Sequence, residues 1–294
     1  MSDGNVKVAF IAGTGKSGST LLGKLLGQVG GFVDVGELIN IDWQFERKEL
    51  CACGEAVSVC DFWTKVVGNS IGSIEDLDRA RWHRLKTRYL PLLLVPGARR
   101  PLQRYFKQLH HLIMGVARVT EANVIVDSSK SAFYGAVLGL FPDIDVYTLH
   151  LVRDVRGSEG SMHRLKSEGA GKWINRNTWW NSIRWMIVNL LTEFTARATG
   201  SRYMRVRYED LVTDPTRVIA EIAIMLDEPE AKIEFLSGNR AQLSKTHTIA
   251  GSDVRFKQGL IELQLDERWK QSLPESNRAV VDGLTGWFRR RYGY

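Results

Sequence analysis

The sequence predicts an α/β fold in which a parallel central sheet is flanked by helices. Short β-branched and aromatic runs alternate with stretches of helical periodicity along most of the chain. This order builds parallel sheets that are covered on both faces. Polar and charged residues directly follow several of the predicted strands. In such sheets ligands bind outside the carboxyl ends of the strands, so a binding site is expected there.

The strands and helices can be taken in order along the chain. Buried strands are predicted at 6–11, 124–127, 146–152 and 203–208, with a short extended piece at 32–35. Helices are predicted after residue 20, over 72–122, from 131 to 140, over roughly 156–199 and from 215 to 226, and the tail from 231 to 294 is expected to be helix and loop.

The composition is typical of a soluble globular protein. Of 294 residues, 44% are apolar and 25% are charged, and the formal net charge of +7 suits an anionic ligand. No internal repeat or low-complexity linker is seen, so residues 1–294 are expected to form a single domain. We find no apolar run that could span a bilayer and no secretory signal, so a cytoplasmic protein without a transmembrane segment is expected.

A glycine-rich turn joins the first predicted strand to the first predicted helix. Residues 13–20 read Gly-Thr-Gly-Lys-Ser-Gly-Ser-Thr. The free amides of a helix N-terminus and the helix dipole favour an anion, and Lys16 adds a positive charge. P-loop NTPases have a glycine five residues before their Gly-Lys pair, where this chain has Phe10. The turn is therefore too short to wrap a β,γ-phosphate pair and suits one terminal phosphate.

Two segments resemble the nucleotide-binding segments of sulfotransferases that use 3′-phosphoadenosine 5′-phosphosulfate (PAPS). The first is Lys-Ser-Gly-Ser-Thr-Leu-Leu at 16–22, and the second runs from Leu151 to Ser161. The resemblance implies a P-loop NTPase-like sulfotransferase fold, with PAPS as the donor co-substrate and no metal. It implies that the first segment holds the 5′-phosphate, while Lys16 polarises the bridge to the leaving sulfonate. The expected contacts of this segment are Lys16, Ser17, Gly18, Ser19 and Thr20.

The same resemblance implies further nucleotide contacts. Arg153 at a strand end and Ser161 eight residues later correspond to a clamp on the 3′-phosphate. A guanidinium suits phosphate because it makes bidentate, charge-assisted hydrogen bonds. Tyr208 is expected near the adenine, although packing of a tyrosine at a strand end is an equal alternative. Arg255 is expected in a late loop that covers the nucleotide.

Sulfonyl transfer needs a base for the acceptor hydroxyl and cations for the charge on the moving group. Protein-tyrosine sulfotransferases have a glutamate base in a Gly-Glu context, twenty-one residues beyond the basic residue of the first loop, and here that position is Glu37. That family has arginine where this chain has Lys16. Lys130 corresponds to a transition-state lysine, or it pairs with Asp127. Other sulfotransferases use a histidine base, and the candidates by position are His110, His111, His150 and His163.

The expected activity is transfer of a sulfonate from PAPS to a hydroxyl of a glycan, a lipid or a small-molecule alcohol by in-line displacement. Residues 45–122 and 231–294 are expected to form acceptor-side and capping segments. Two alternatives stay open: a small-molecule kinase, and a non-catalytic binder of anions or nucleic acid, which the positive charge permits. No nucleic-acid motif is seen, so a nucleic-acid partner is not expected.

Three cysteines lie close together in the sequence, at positions 51, 53 and 60. A metal knuckle with His83 as the fourth ligand is conceivable, but the spacing fits no standard zinc pattern. The favoured interpretation of Cys51, Cys53 and Cys60 is structural, as apolar thiols or a labile disulfide, and no metal is expected.

Overall fold

The computed structural model describes residues 5–76, 93, 100, 102–167 and 177–294. At its centre lies a five-stranded parallel sheet with the order β2-β3-β1-β4-β5. Its strands are β1 (Val6–Gly13), β2 (Phe32–Gly36), β3 (Val124–Lys130), β4 (Ile144–Val152) and β5 (Arg202–Arg207). The predicted parallel sheet is confirmed, and every predicted strand overlaps one of these strands.

Helices flank the sheet, as predicted. Those in the described ranges are α1 (Ser19–Leu26), α2 (Ile41–Glu46), α3 (Asp61–Ser70), α4 (Gln103–Thr120), α5 (Ala132–Leu138), α6 (Val155–Ser167), α7 (Thr178–Ala198), α8 (Tyr208–Thr213), α9 (Pro215–Met225), α10 (Trp269–Ser272) and α11 (Glu275–Arg291). Much of the helical region predicted over 72–122 lies outside the described residues, and α4 confirms its last part. Among these helices, none combines the length and the apolarity needed to cross a membrane.

The side chains of β1 alternate between two hydrophobic cores, one on each face of the sheet. Phe10 packs in a core that includes Trp63 of α3 and Leu109 of α4. The next side chain, Ile11, belongs to a second core with Leu22 of α1. Successive side chains of a strand point to opposite faces, so β1 is buried on both sides. Each such buried side chain contributes about 1.5–3 kcal/mol, which makes β1 a rigid base for the turn that follows it.

The register brings the functional turns to one edge of the sheet. β1 lies between β3 and β4, with Lys7 opposite Val124 and Phe10 opposite Thr148. Because the strands are parallel, the residues that follow them emerge at the same edge. This is the edge at which ligands bind in open α/β sheets.

The tail contains strands that the sequence did not predict. A three-stranded antiparallel sheet is formed by β6 (Leu236–Ser237), β7 (Arg240–Leu243) and β8 (Gly259–Glu262). The expectation of only helix and loop over 231–294 is therefore wrong. Strands of four residues or fewer show too little alternation to be recognised. They are stabilised by long-range packing, because Ala241 and Leu243 join the second core.

Candidate active site

The turn after β1 forms a tight loop at the amino end of α1. Lys16 (φ 67°) and Gly18 (φ 96°) adopt left-handed backbone conformations, which glycine tolerates best. A Cβ at Gly18 would lie 2.5 Å from the ring of Tyr208, so packing also requires glycine there. Ser19 and Thr20 begin α1 and line the adjoining cleft. The loop therefore presents the amino end of a helix to the cleft, an arrangement that binds phosphate.

Charged side chains from separate strand ends meet beside this loop. Lys130, at the end of β3, forms an ion pair with Glu37, which follows β2. Asn40 Nδ2 donates a hydrogen bond of 2.8 Å to the other carboxylate oxygen of Glu37. Burial lowers the pKa of Lys16, and the positive charge of Lys130 lowers it further. The proposed base and two proposed cations therefore form one electrostatic group.

Asp127, the alternative partner of Lys130, has other partners. Its carboxylate accepts hydrogen bonds from the amide and hydroxyl of Ser129 and from the hydroxyl of Tyr134. Burial raises the pKa of Asp127 to about 6, although these hydrogen bonds oppose the shift. The acidic partner of Lys130 is thus Glu37.

One wall of the cleft comes from the segment after β7. Gly36 has φ 77°, and a Cβ there would overlap the carbonyl oxygen of Ile249. Only glycine allows the backbone of Ile249 to come this close. At this distance the amide of Glu37 donates a hydrogen bond of 3.0 Å to the carbonyl of Ile249. Further along, the Ser252 amide donates to Thr20 Oγ1 at 3.1 Å. The wall therefore touches both the proposed base and the amino end of α1.

Arg255 lies in the same wall. Its Nη1 donates to the carbonyl of Gly251 at 2.9 Å, and its guanidinium lies 4.3 Å from the centre of the Phe256 ring. The carbonyl of Arg255 accepts a hydrogen bond of 2.9 Å from Lys24 Nζ. Burial lowers the pKa of Arg255, but a guanidinium keeps its charge in proteins. These contacts hold a positive charge in the lining of the cleft.

Arg153 connects the loop to a second group of polar side chains, which lies on α6. Its Nη1 donates to the carbonyl of Lys16 at 3.1 Å, and its guanidinium lies 4.4 Å from the centre of the Tyr208 ring. Ser161, on α6, accepts a hydrogen bond of 3.3 Å from Arg164 Nη2. We call Arg153, Ser161 and Arg164 the arginine cradle. It is continuous with the loop, because Arg153 contacts both.

A carboxylate of the chain occupies the arginine cradle. Asp266 Oδ2 accepts from Arg153 Nη2 at 3.2 Å and from Arg164 Nη2 at 3.0 Å, and Oδ1 accepts from Arg268 Nε at 2.8 Å. Burial alone would raise the pKa of Asp266. The hydrogen bonds from Arg268 and Arg153 and the charges of Arg153 and Arg164 outweigh burial and hold this pKa well below its usual range. The cradle therefore already binds one anion.

The loop and the arginine cradle line one cleft of about 850 Å³, a volume typical of small-molecule sites. Of the residues that the sequence singled out, those lining the cleft are Lys16, Gly18, Ser19, Thr20, Glu37, Lys130, Arg153, Ser161, Tyr208 and Arg255. Ser17 is not among them: its side chain is fully buried, and its Oγ has no hydrogen-bond partner among the described residues. Tyr208 both lines the cleft and packs against Gly18.

In the described part of the chain, no histidine lines the cleft. His110 binds the carboxylate of Asp143 at 2.8 Å. His150 is buried and bonded to Asn189 Oδ1, and burial lowers its pKa to about 4. His111 is exposed on α4, and His163 lies on α6 outside the cleft lining. Glu37 is thus the candidate base that the cleft contains.

Sequence reasoning missed Asn40, which binds Glu37, and Arg164, Asp266 and Arg268 around the arginine cradle. Arg164 had a usable signal, because it follows Ser161 by three residues on one helix and therefore shares its face. Asp266 and Arg268 lie between β8 and α10, in no recognisable motif. Their position depends on the path of the tail.

Comparison with known proteins gives the family. The fold of this chain matches that of the sulfotransferase domain from the Synechococcus PCC 7002 olefin synthase. The TM-score is 0.53 and the sequence identity is 21%, over 98% of this chain and 97% of that chain. The sulfotransferase domain from the curacin biosynthetic pathway aligns with a TM-score of 0.47 and 17% identity, over 96% and 98% of the two chains. No curated protein matches. The sequence profile of the sulfotransferase family matches residues 9–231. Because this match spans most of its length, the chain belongs to the sulfotransferase family.

Proposed function

We propose that this protein transfers a sulfonate from PAPS to a hydroxyl acceptor by in-line displacement. The observation that carries the proposal is the hydrogen bond of 3.1 Å between Arg153 Nη1 and the carbonyl of Lys16. It joins two anion-binding features, the loop and the arginine cradle, along one edge of one cleft. A ligand with a phosphate on each side of a nucleoside matches such a pair of features.

The loop would hold the 5′-phosphate end of the donor. The amides at the start of α1 and the ammonium of Lys16 would then lie where negative charge grows as the sulfur–oxygen bond breaks. The arginine cradle would hold the 3′-phosphate, with Arg153 and Arg164 as donors. The incoming phosphate must then replace Asp266 in at least part of its contacts with Arg153 and Arg164. Arg255 would add positive charge from the wall that the segment after β7 forms.

Glu37 is the proposed general base. Its carboxylate would take the proton of the acceptor hydroxyl as the hydroxyl oxygen bonds to sulfur, and adenosine 3′,5′-bisphosphate would leave with the electron pair of the broken bond. Lys130, which is paired with Glu37, would turn towards the sulfonate as the charge of the sulfonate spreads. Asn40 holds the second oxygen of Glu37 and keeps the carboxylate oriented.

The acceptor is proposed to enter beside α2. On this side the cleft is lined by Trp43, Gln44 and Glu49, together with Asn40. An aromatic ring with nearby amides suits an alcohol that carries an apolar or sugar-like body. A glycan, a lipid and a small-molecule alcohol all meet this description.

The proposal is tested by ligand binding and by turnover. Adenosine 3′,5′-bisphosphate should raise the melting temperature of the protein, whereas ATP should raise it much less. Glu37→Gln should keep this shift and lose at least about a hundredfold in the rate of PAPS turnover with a panel of alcohols, since general bases contribute about 10²–10⁴-fold.

Glu46→Gln, at an exposed position of α2, serves as the matched control and should keep full activity. Preferential stabilisation by ATP, or phosphoryl transfer from it, would favour the kinase alternative. Full activity of Glu37→Gln would exclude Glu37 as the base.

A further inference from the structure

Three cysteines and a histidine converge outside the cleft. Cys51 and Cys53 lie in one turn, Cys60 directly precedes α3, and His247 lies in the segment after β7. Taking one ligand atom from each residue, these four atoms all lie within 4.8 Å of one another. His83, the fourth ligand considered from the sequence, lies outside the described residues. The histidine that joins the cysteines is His247.

Four of the distances within this cluster lie close to those around a tetrahedral metal ion. The sulfur atoms of Cys53 and Cys60 lie 3.6 Å apart, and those of Cys51 and Cys60 lie 3.8 Å apart. His247 Nδ1 lies 3.3 Å from the Cys60 sulfur and 3.9 Å from the Cys51 sulfur. With usual zinc bond lengths, a tetrahedron requires about 3.75 Å between sulfurs and about 3.55 Å between sulfur and nitrogen. A disulfide would require about 2.05 Å, and all three cysteines are free.

We propose that Cys51, Cys53, Cys60 and His247 form a structural zinc site. Three thiolates and one imidazole are an established ligand set for structural zinc, and sulfur and nitrogen ligands disfavour calcium and magnesium. The site is structural because four protein ligands fill a tetrahedral shell and none of the four residues lines the cleft.

The surroundings of His247 fix its position independently of any metal. The indole Nε1 of Trp63 donates to the His247 carbonyl at 2.7 Å. The ring of Phe62 stacks on the imidazole with centroids 4.9 Å apart and planes 13° apart. Phe62 and Trp63 follow Cys60 directly on α3, so the element that supplies one sulfur also orients the nitrogen ligand. These two contacts hold the imidazole beside the three sulfurs.

The proposed zinc would also stabilise one wall of the cleft. The amide of Ala52, between two of the cysteines, donates to the Thr248 carbonyl at 3.0 Å, and the next residue, Ile249, binds the amide of Glu37. The site thus ties the cysteine turn to the segment that carries Arg255. Loss of zinc should therefore lower the melting temperature of the whole protein, because metal-binding free energy contributes to folding free energy.

The test is a metal count on the purified protein. The protein is purified from zinc-supplemented cells under reducing conditions without chelator, and zinc is measured by inductively coupled plasma mass spectrometry. One zinc ion per chain is expected. Cys53→Ser and His247→Asn should each lose most of the zinc. His110→Asn, which changes a histidine bound to Asp143 rather than to the cluster, should retain it.

A second measurement does not depend on how well the variants fold. Wild-type protein that is stripped of metal and titrated with Co²⁺ should develop a thiolate-to-cobalt charge-transfer band and strong tetrahedral d–d bands. Folded wild-type protein that binds neither Zn²⁺ nor Co²⁺ would overturn the proposal. A disulfide among the three cysteines in protein kept reduced during purification would also overturn it.

Discussion

Asp266→Asn should bind adenosine 3′,5′-bisphosphate more tightly than the wild-type protein does. The carboxylate of Asp266 occupies Arg153 and Arg164, the two guanidiniums proposed to hold the 3′-phosphate. Asparagine keeps the size of the side chain and one oxygen, but it removes the negative charge. The variant therefore weakens an internal competitor for the site without removing any proposed donor.

The expected gain follows from the contacts that the phosphate must replace. Asp266 accepts hydrogen bonds of 3.2 Å from Arg153 and 3.0 Å from Arg164, and a hydrogen bond to a charged group contributes about 1.5–3 kcal/mol. Arg164 is partly exposed and solvent screens its pair, so we count only the Arg153 hydrogen bond, at the lower end of this range, about 1.5 kcal/mol. With a competitor of this strength, Asp266 leaves the arginine cradle unoccupied in about a tenth of the molecules. Its removal should therefore tighten the binding of adenosine 3′,5′-bisphosphate about tenfold.

Isothermal titration calorimetry at fixed ionic strength measures this gain. Adenosine 5′-monophosphate, which lacks the 3′-phosphate, should show no comparable gain. Asp227→Asn is the matched control, because it also removes an aspartate from an ion pair with an arginine, Arg202, which lies at the exposed surface. Unchanged or weaker binding by Asp266→Asn would refute the reasoning and would mean that Asp266 positions Arg153 for the phosphate.

Further predictions concern the loop, the arginine cradle and the core. Arg153→Ala should weaken adenosine 3′,5′-bisphosphate binding by at least about tenfold in the same titration, because charged hydrogen bonds are lost. Gly18→Ala should lower the free energy of unfolding in urea by about 1–3 kcal/mol, because of the left-handed backbone and the Tyr208 ring. Burial raises the pKa of Asp34 to about 6, so its stabilising protonated form is lost as pH rises through 6. Wild-type protein should therefore gain about 1 kcal/mol from Asp34 between pH 7 and pH 5, and Asp34→Asn should lack this gain.

Each of these predictions has a control. Arg202→Ala removes a surface guanidinium and should leave nucleotide affinity unchanged. For Gly18→Ala the control is Gly283→Ala. Gly283 lies in α11, where a Cβ would meet nothing within 4 Å, so this change should stabilise the helix by about 0.5–1 kcal/mol. Asp127, whose pKa is also raised to about 6, keeps its pH dependence in Asp34→Asn. Equal slopes of stability against pH for wild type and Asp34→Asn would contradict the assigned shift.

The sequence alone determined the elements whose causes are local. The strand β1, the loop and α1 follow one another within about twenty residues, and alternation, glycine and helical spacing specify them without distant contacts. The positions of Arg153 and Ser161 also have a local cause. Arg153 follows β4 directly, and Ser161 lies on α6, the helix that comes next. This is why the parallel sheet, the loop and the charged residues at or just after the ends of β1, β3 and β4 could be predicted from the sequence.

Only the tertiary structure decided which distant residues meet. Asp266 reaches Arg153 from more than a hundred residues away, Glu37 meets Lys130 across neighbouring strands, and His247 completes a cysteine cluster to which no spacing rule pointed. The short strands of the tail likewise exist because they pack on the second core. Local patterns constrain backbone conformation over a few residues, whereas these contacts depend on the path of the whole chain and on the burial that stabilises it.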